Sequence, residues 1–126
     1  MMVIKLDATG NFTWNKTYGG NADELSVASA VTADGGYVLT GYTLTNNNGD
    51  VGANHGATDF WVIKINSTGT LQWQKTLGGT NSELSLGIVA TGNSFTVIGR
   101  SNSSDGDVSG LHGTTRPDFW LFNILD

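Results

Sequence analysis

The chain contains no cysteine. That excludes a disulfide scaffold, a thiolate zinc centre and a cysteine nucleophile. Proline occurs once, at Pro117, and charged residues make up only 13% of the chain, well under the roughly 25% of an average soluble domain. Basic residues are scarcer than acidic ones, six against eleven, so the net charge is −5. A surface of that sign does not neutralise phosphates, which argues against nucleic acid as a partner. No apolar run approaches the ~18 residues of a membrane span, and Met1-Met2-Val3 begins no signal peptide. Helical periodicity is missing too, since no stretch repeats apolar residues at i, i+3, i+4 and i+7 over a helical length. Glycine, by contrast, is abundant at 18 residues of 126, and the length allows one small domain.

Sliding the sequence along itself reveals a tandem repeat. At an offset of 59, Val3-Ile4-Lys5-Leu6 falls on Val62-Ile63-Lys64-Ile65, Trp14 on Trp73, and Gly19-Gly20 on Gly78-Gly79. Over residues 3–26 against 62–85, 13 of 24 positions are identical. Gly41-Tyr42-Thr43 then meets Gly99-Arg100-Ser101 in a register one residue shorter, and Asp59-Phe60-Trp61 meets Asp118-Phe119-Trp120.

Within each unit the local signals are those of strands. Phe60 to Ile65 is aromatic and β-branched and ends in the turn residues Asn66-Ser67-Thr68-Gly69. Leu71 to Leu77 alternates apolar and polar with period 2. Ser26 to Thr32 leads into Ala33-Asp34-Gly35-Gly36, where glycine supplies the positive φ of a hairpin, and Tyr37 to Thr43 returns. The pattern predicts an all-β chain with four antiparallel strands per unit, over 26–33, 36–43, 60–65 and 71–77. Four-stranded meanders repeating at this spacing read as β-propeller blades. A solenoid or a β-sandwich is the competing architecture, but a solenoid coil would be shorter and parallel. Small Ser26, Ala28, Ser29 and Ala30 suit an innermost strand, where neighbouring blades crowd.

The run Asp59-Phe60-Trp61-Val62-Ile63-Lys64-Ile65, continuing through the Gly69 turn to Leu77-Gly78-Gly79, resembles the SBBP-type bacterial β-propeller repeat. Ala33-Asp34-Gly35-Gly36-Tyr37-Val38-Leu39-Thr40-Gly41-Tyr42-Thr43 adds to that likeness, which covers essentially the whole chain. The second copy departs from the family pattern at Thr91-Gly92-Asn93-Ser94-Phe95 and at Arg100. The resemblance implies a secreted or cell-surface prokaryotic protein, usually a longer one, with no catalytic residues assigned to the repeat.

On this reading residues 1–24 form a partial blade, 25–82 a full blade and 83–126 a second partial blade. The chain opens with a third and fourth strand and closes with a first, second and third. Closed propellers need about four to eight blades, so two units leave aromatic faces and strand edges open. Either further repeats of a longer chain complete the ring, or copies of this chain assemble head to tail into a homo-oligomer whose interface closes by rotation.

The Asn- and Asp-rich loops are where chemistry would sit. Asn48, Asp50 and Asp59 in one, with Asp105, Asp107 and Asp118 in the other, place oxygens densely enough to resemble hard-cation loops, making calcium a candidate ligand. The EF-hand spacing is not met, and Asn, Asp and Gly also serve as ordinary turn formers. His55 and His112 hold equivalent places, one per loop, where a single histidine makes a poor metal site and an ordinary carbonyl cap. Trp14 and Trp73 hold the presumed rim strands and could stack on sugar rings; packing between blades is the alternative. Glu24 and Glu83 each follow a Gly-Gly pair, fitting carboxylates that bond turn amides rather than a glycosidase pair. Gly-Gly opens no helix, so a phosphate cradle is excluded. No G-x-S-x-G elbow is present, and Ser103-Ser104-Asp105-Gly106-Asp107 lacks the rest of a sialidase-type Asp-box. The expectation is a non-catalytic interaction or structural scaffold, with an oligomeric, lectin-like carbohydrate-binding propeller as the alternative.

Overall fold

The four-strand unit expected over 26–77 forms, with its first strand starting two residues early. The computed structural model describes residues 1–113 and 116–126, and it is all-β with no helix among them. Nine strands follow one another: β1 (Met2–Leu6), β2 (Phe12–Thr17), β3 (Glu24–Val31), β4 (Tyr37–Thr43), β5 (Asp59–Ile65), β6 (Leu71–Leu77), β7 (Glu83–Thr91), β8 (Ser94–Ser101) and β9 (Asp118–Leu125). They form three antiparallel sheets in chain order: β1-β2, β3-β4-β5-β6 and β7-β8-β9. β3 begins at Glu24 because Glu24 and Leu25 pair with Thr43 and Tyr42. It ends at Val31 because Thr32, Asp34 and Gly36 bond one another across the turn.

Each repeat carries the same irregularity. Val27 is left out of the β3–β4 register, and Leu86 out of the β7–β8 register. Opposite the first bulge stands Gly41, where a Cβ would fall on the Leu25 carbonyl; opposite the second stands Gly99, against the Leu84 carbonyl and the Phe60 ring. A side chain there is excluded by backbone, which is the usual reason for glycine inside a strand. The change of offset from 59 to 58 is also local. Val31 to Tyr37 is bridged by five residues, whereas Ala90 to Phe95 is bridged by four, in a tighter turn over Gly92 (φ 58°) and Asn93.

The three sheets stack face on face, the four-stranded one in the middle. β5 is consequently buried at every position, which is why it reads as a near-continuous apolar run rather than an alternation. Phe60 and Val62 join Val38, Ile88, Phe95, Val97 and Ile124 in one core against the third sheet. Trp61, Ile63 and Ile65 join Tyr18, Leu39 and Val51 in a second core against the first sheet. Each large side chain buried this way contributes about 1.5–3 kcal/mol. β7 runs closest to β3 and β4, and the Thr40 and Ser85 hydroxyls bond there at 2.9 Å. The outer faces are left uncovered, with Phe119 81% and Leu121 61% exposed on one side and Met2, Ile4 and Leu6 exposed on the other.

Candidate functional site

The polar residues that recur once per repeat converge where one sheet meets the next. The loop between β4 and β5 reaches back to the link leaving β2. There the Gly19 N–H donates to Asp50 Oδ2 at 3.1 Å, and the Asp50 N–H donates to the Gly19 carbonyl at 3.0 Å. The loop between β8 and β9 repeats this on the link leaving β6, with Gly78 N–H to Asp107 Oδ2 at 3.2 Å and Asp107 N–H to the Gly78 carbonyl at 2.9 Å. Gly49 and Gly106 turn both loops with φ of 60° and 63°. A Cβ on either would strike the carbonyl of Gly19 or Gly78.

A glutamate closes each junction from the other side. Glu24 Oε2 accepts the Gly20 N–H at 3.0 Å, and its Oε1 accepts the Thr43 and Thr45 hydroxyls at 3.1 and 2.5 Å. Glu83 Oε2 accepts the Gly79 N–H at 2.8 Å while Oε1 accepts the Ser101 hydroxyl at 2.7 Å. Thr45 and Ser103 in turn accept the Ala22 and Asn81 N–H groups at 2.9 Å. Each carboxylate satisfies backbone and hydroxyl donors that would otherwise be orphaned at a half-buried crossing, a loss of about 1–3 kcal/mol per group.

The second junction adds a titratable cluster. Asp59 is fully buried; its Oδ2 accepts both the backbone N–H of His55, at 2.8 Å, and Nδ1 of the same residue, at 2.7 Å. Asp59 Oδ1 has no hydrogen-bond partner among the described residues. A point one bond above Gly78 lies 2.5 Å from Glu83 Oε2 and 2.6 Å from Asp59 Oδ1, so the two carboxylates crowd one glycine. Burial pushes the Asp59 carboxyl up against the opposing pull of His55, and nearby Glu83 adds to the rise. The hydrogen bond to Asp59 raises the His55 imidazole above 6.5, helped by the charges of Asp59, Asp107 and Glu83.

The sequence-derived candidates separate accordingly. Asp50 and Asp107 bond glycine amides, and Asp105 accepts the Thr80 N–H and hydroxyl at 2.8 and 2.9 Å, which holds its carboxyl below the usual range. Asn48 forms an isolated bridge with Val51. Asp118 accepts the His112 backbone N–H, and the His112 side chain is 94% exposed. His55 alone of the two histidines enters a junction, 3.9 Å from Asp107 Oδ2. Among the described residues, no group of three or more His, Cys, Asp or Glu gathers as metal ligands. Trp14 and Trp73 are both half-buried. The Trp14 N–H donates to the Ser67 carbonyl at 3.3 Å and the Trp73 N–H to Asp126 Oδ1 at 2.8 Å, each on the following sheet. The Trp14 ring rests on Gly69.

Several residues escaped notice in the sequence. Buried Lys64 joins Asp34 at 2.9 Å and Asp126, tying the middle sheet to the end of β9. Burial opposes its charge, but the two carboxylates together raise its pKa. The hydroxyls on Glu24 and Glu83 were also overlooked, although Thr43-x-Thr45 recurs as Ser101-x-Ser103 at the same offset. Conserving the hydroxyl while losing the methyl is the signal that a hydrogen bond is kept. No family model matches the chain, and no curated protein matches it.

Proposed function

We propose that this chain is a non-catalytic β-propeller repeat module, serving as a structural and interaction scaffold in a secreted or cell-surface prokaryotic protein. The carrying observation is the duplicated junction. The same carboxylate, Gly-Gly pair and glutamate join the first sheet to the second and the second to the third. A linkage that works identically twice is a device for extending an array. Its partners are further repeats of the same kind, or other copies of the chain.

Asp50 and Asp107 are engaged in those linkages, and the Trp14 and Trp73 N–H groups are taken up by Ser67 and Asp126 on the following sheet, which favours the scaffold over the carbohydrate-binding alternative. Titration with a panel of glycans, followed by tryptophan fluorescence, separates the two. The scaffold reading expects no saturable change at millimolar sugar. A saturable change lost in Trp73→Phe or Trp14→Phe overturns it in favour of the lectin.

A further inference from the structure

We infer that a second copy of this chain docks head to tail by strand replacement, β9 of one copy taking the place of β1 in the next. The inference deepens the scaffold reading and rests on it for the idea that sheets of this repeat stack in series.

β1 and β9 are the same position of the repeat. β1 pairs with β2 as Met2 with Thr17, Val3 with Lys16, Ile4 with Asn15 and Lys5 with Trp14. In the middle sheet β5 pairs with β6 as Trp61 with Thr76, Val62 with Lys75, Ile63 with Gln74 and Lys64 with Trp73. Carried over by the 59-residue offset, β9 meets β2 of a second copy as Trp120 with Thr17, Leu121 with Lys16, Phe122 with Asn15 and Asn123 with Trp14. That is the register β1 already occupies. The free edge of β9 therefore fits β2, and the union is a four-stranded sheet like β3-β4-β5-β6.

The two strands are not equally held. β9 pairs with β8 at eight positions, and Trp120, Phe122 and Ile124 pack into the core around Phe60. β1 pairs at five positions in a two-stranded sheet, an arrangement marginal by itself in water, and Met2, Ile4 and Leu6 stay exposed. β1 is the strand that yields.

The exchange also covers what both copies leave bare. Phe119 and Leu121, exposed on β9, are the equivalents of Phe60 and Val62, which are fully buried. Because the first sheet lacks two strands, Val27 and Val31 of β3 are exposed, and a notch of about 250 Å³ opens beside β1, lined by Ser29, Tyr37 and Leu39. β7 and β8 accompany β9 and fill that space. Exposed edges and apolar faces of this kind invite pairing with an identical chain.

The test uses the absence of native cysteine. Val3→Cys with Lys16→Cys places thiols on paired residues of one chain; oxidation locks β1 in its place. The wild type is expected to sediment above 13.3 kDa as concentration rises, and the locked variant to associate at least about tenfold more weakly, recovering when reduced. Leu121→Cys with Lys16→Cys is expected to give an interchain disulfide, because the middle sheet separates those strands within one copy. Leu121→Cys with Asn15→Cys, one residue out of register, is expected to give none. Undiminished association of the locked variant overturns strand replacement while leaving stacking in series intact. A folded wild type that stays monomeric at its highest soluble concentration overturns self-docking, and the glycan titration tests the scaffold reading independently.

Discussion

Phe60 and Phe119 occupy one position of the repeat in two environments, so substituting each by alanine measures what a stacked sheet is worth. Phe60 is fully buried and meets Trp120 and Phe122 edge-on, with ring centroids 5.3 Å away in both cases. Truncating a core phenylalanine costs about 3–5 kcal/mol, and within that each edge-on pair contributes about 0.5–1.5 kcal/mol. Phe119 is 81% exposed, so in a dilute monomer Phe119→Ala should fall within about 0.5 kcal/mol of the wild type. Urea unfolding followed by tryptophan fluorescence compares the midpoints, with Phe60→Leu as a milder variant should Phe60→Ala not fold. The slope of the unfolding line should be shared, since the surface exposed on unfolding hardly changes. Equal losses at the two positions, or a loss under about 1 kcal/mol for Phe60→Ala, would refute the claim that the middle and third sheets share a packed core. At concentrations where copies associate, Phe119→Ala is expected to become the more harmful of the two for assembly alone.

Three further outcomes are expected. Gly41→Ala and Gly99→Ala put a Cβ onto backbone carbonyls; neither should give a cooperatively folded protein by circular dichroism, whereas Gly87→Ala, with only the tip of Ile98 nearby at 3.6 Å, should fold. Asp107→Ala strips the acceptor from the Gly78 N–H and should lower stability by about 1–3 kcal/mol, with Asp50→Ala, its equivalent at the first junction, falling in the same range by urea midpoint. Stability should also decline with alkalinity. The folded pKa of His55 lies above 6.5, so its pairing with Asp59 contributes fully below 6.5 and is lost as pH rises through the higher value. Asp59, raised from 3.8 by burial, acts in the same direction at lower pH, while Asp105 and Asp126, both lowered, lose their contribution as pH falls through their depressed values. His55→Asn should flatten the decline above 6.5; an unchanged slope would remove His55 as its source.

The strand pattern was legible because it is local. Alternation in Leu71–Leu77, the apolar run of β5 and the Asp34-Gly35 turn each follow from a few neighbouring residues, and the 59-residue offset repeated the first two of these signals. The start of β3 was missed because it depends on Thr43 and Tyr42 across the hairpin, and propensity within residues 24–26 says nothing about that. Lys64 shows the same limit more sharply. Its place inside a run of apolar residues fits a strand with one polar outlier. Asp34, 30 residues away in the β3–β4 turn, and Asp126, 62 residues away at the far end of another sheet, explain why a lysine can sit 5% exposed there.

The loops show why a motif of oxygens underdetermines chemistry. Asn48-Gly49-Asp50 and Asp105-Gly106-Asp107 have the composition of cation loops, yet their carboxylates meet amide donors on the preceding sheet. An acceptor-rich loop seeks positive partial charge, and two consecutive glycine amides, unshielded by side chains, supply it as readily as an ion does. Gly19-Gly20 and Gly78-Gly79 are as much part of the motif as the aspartates. The discriminating signal is that both halves recur, the glycine pair at an offset of 59 and the aspartate loop at an offset of 57: a junction between sheets needs both, whereas a solvent cation would need only the acidic half.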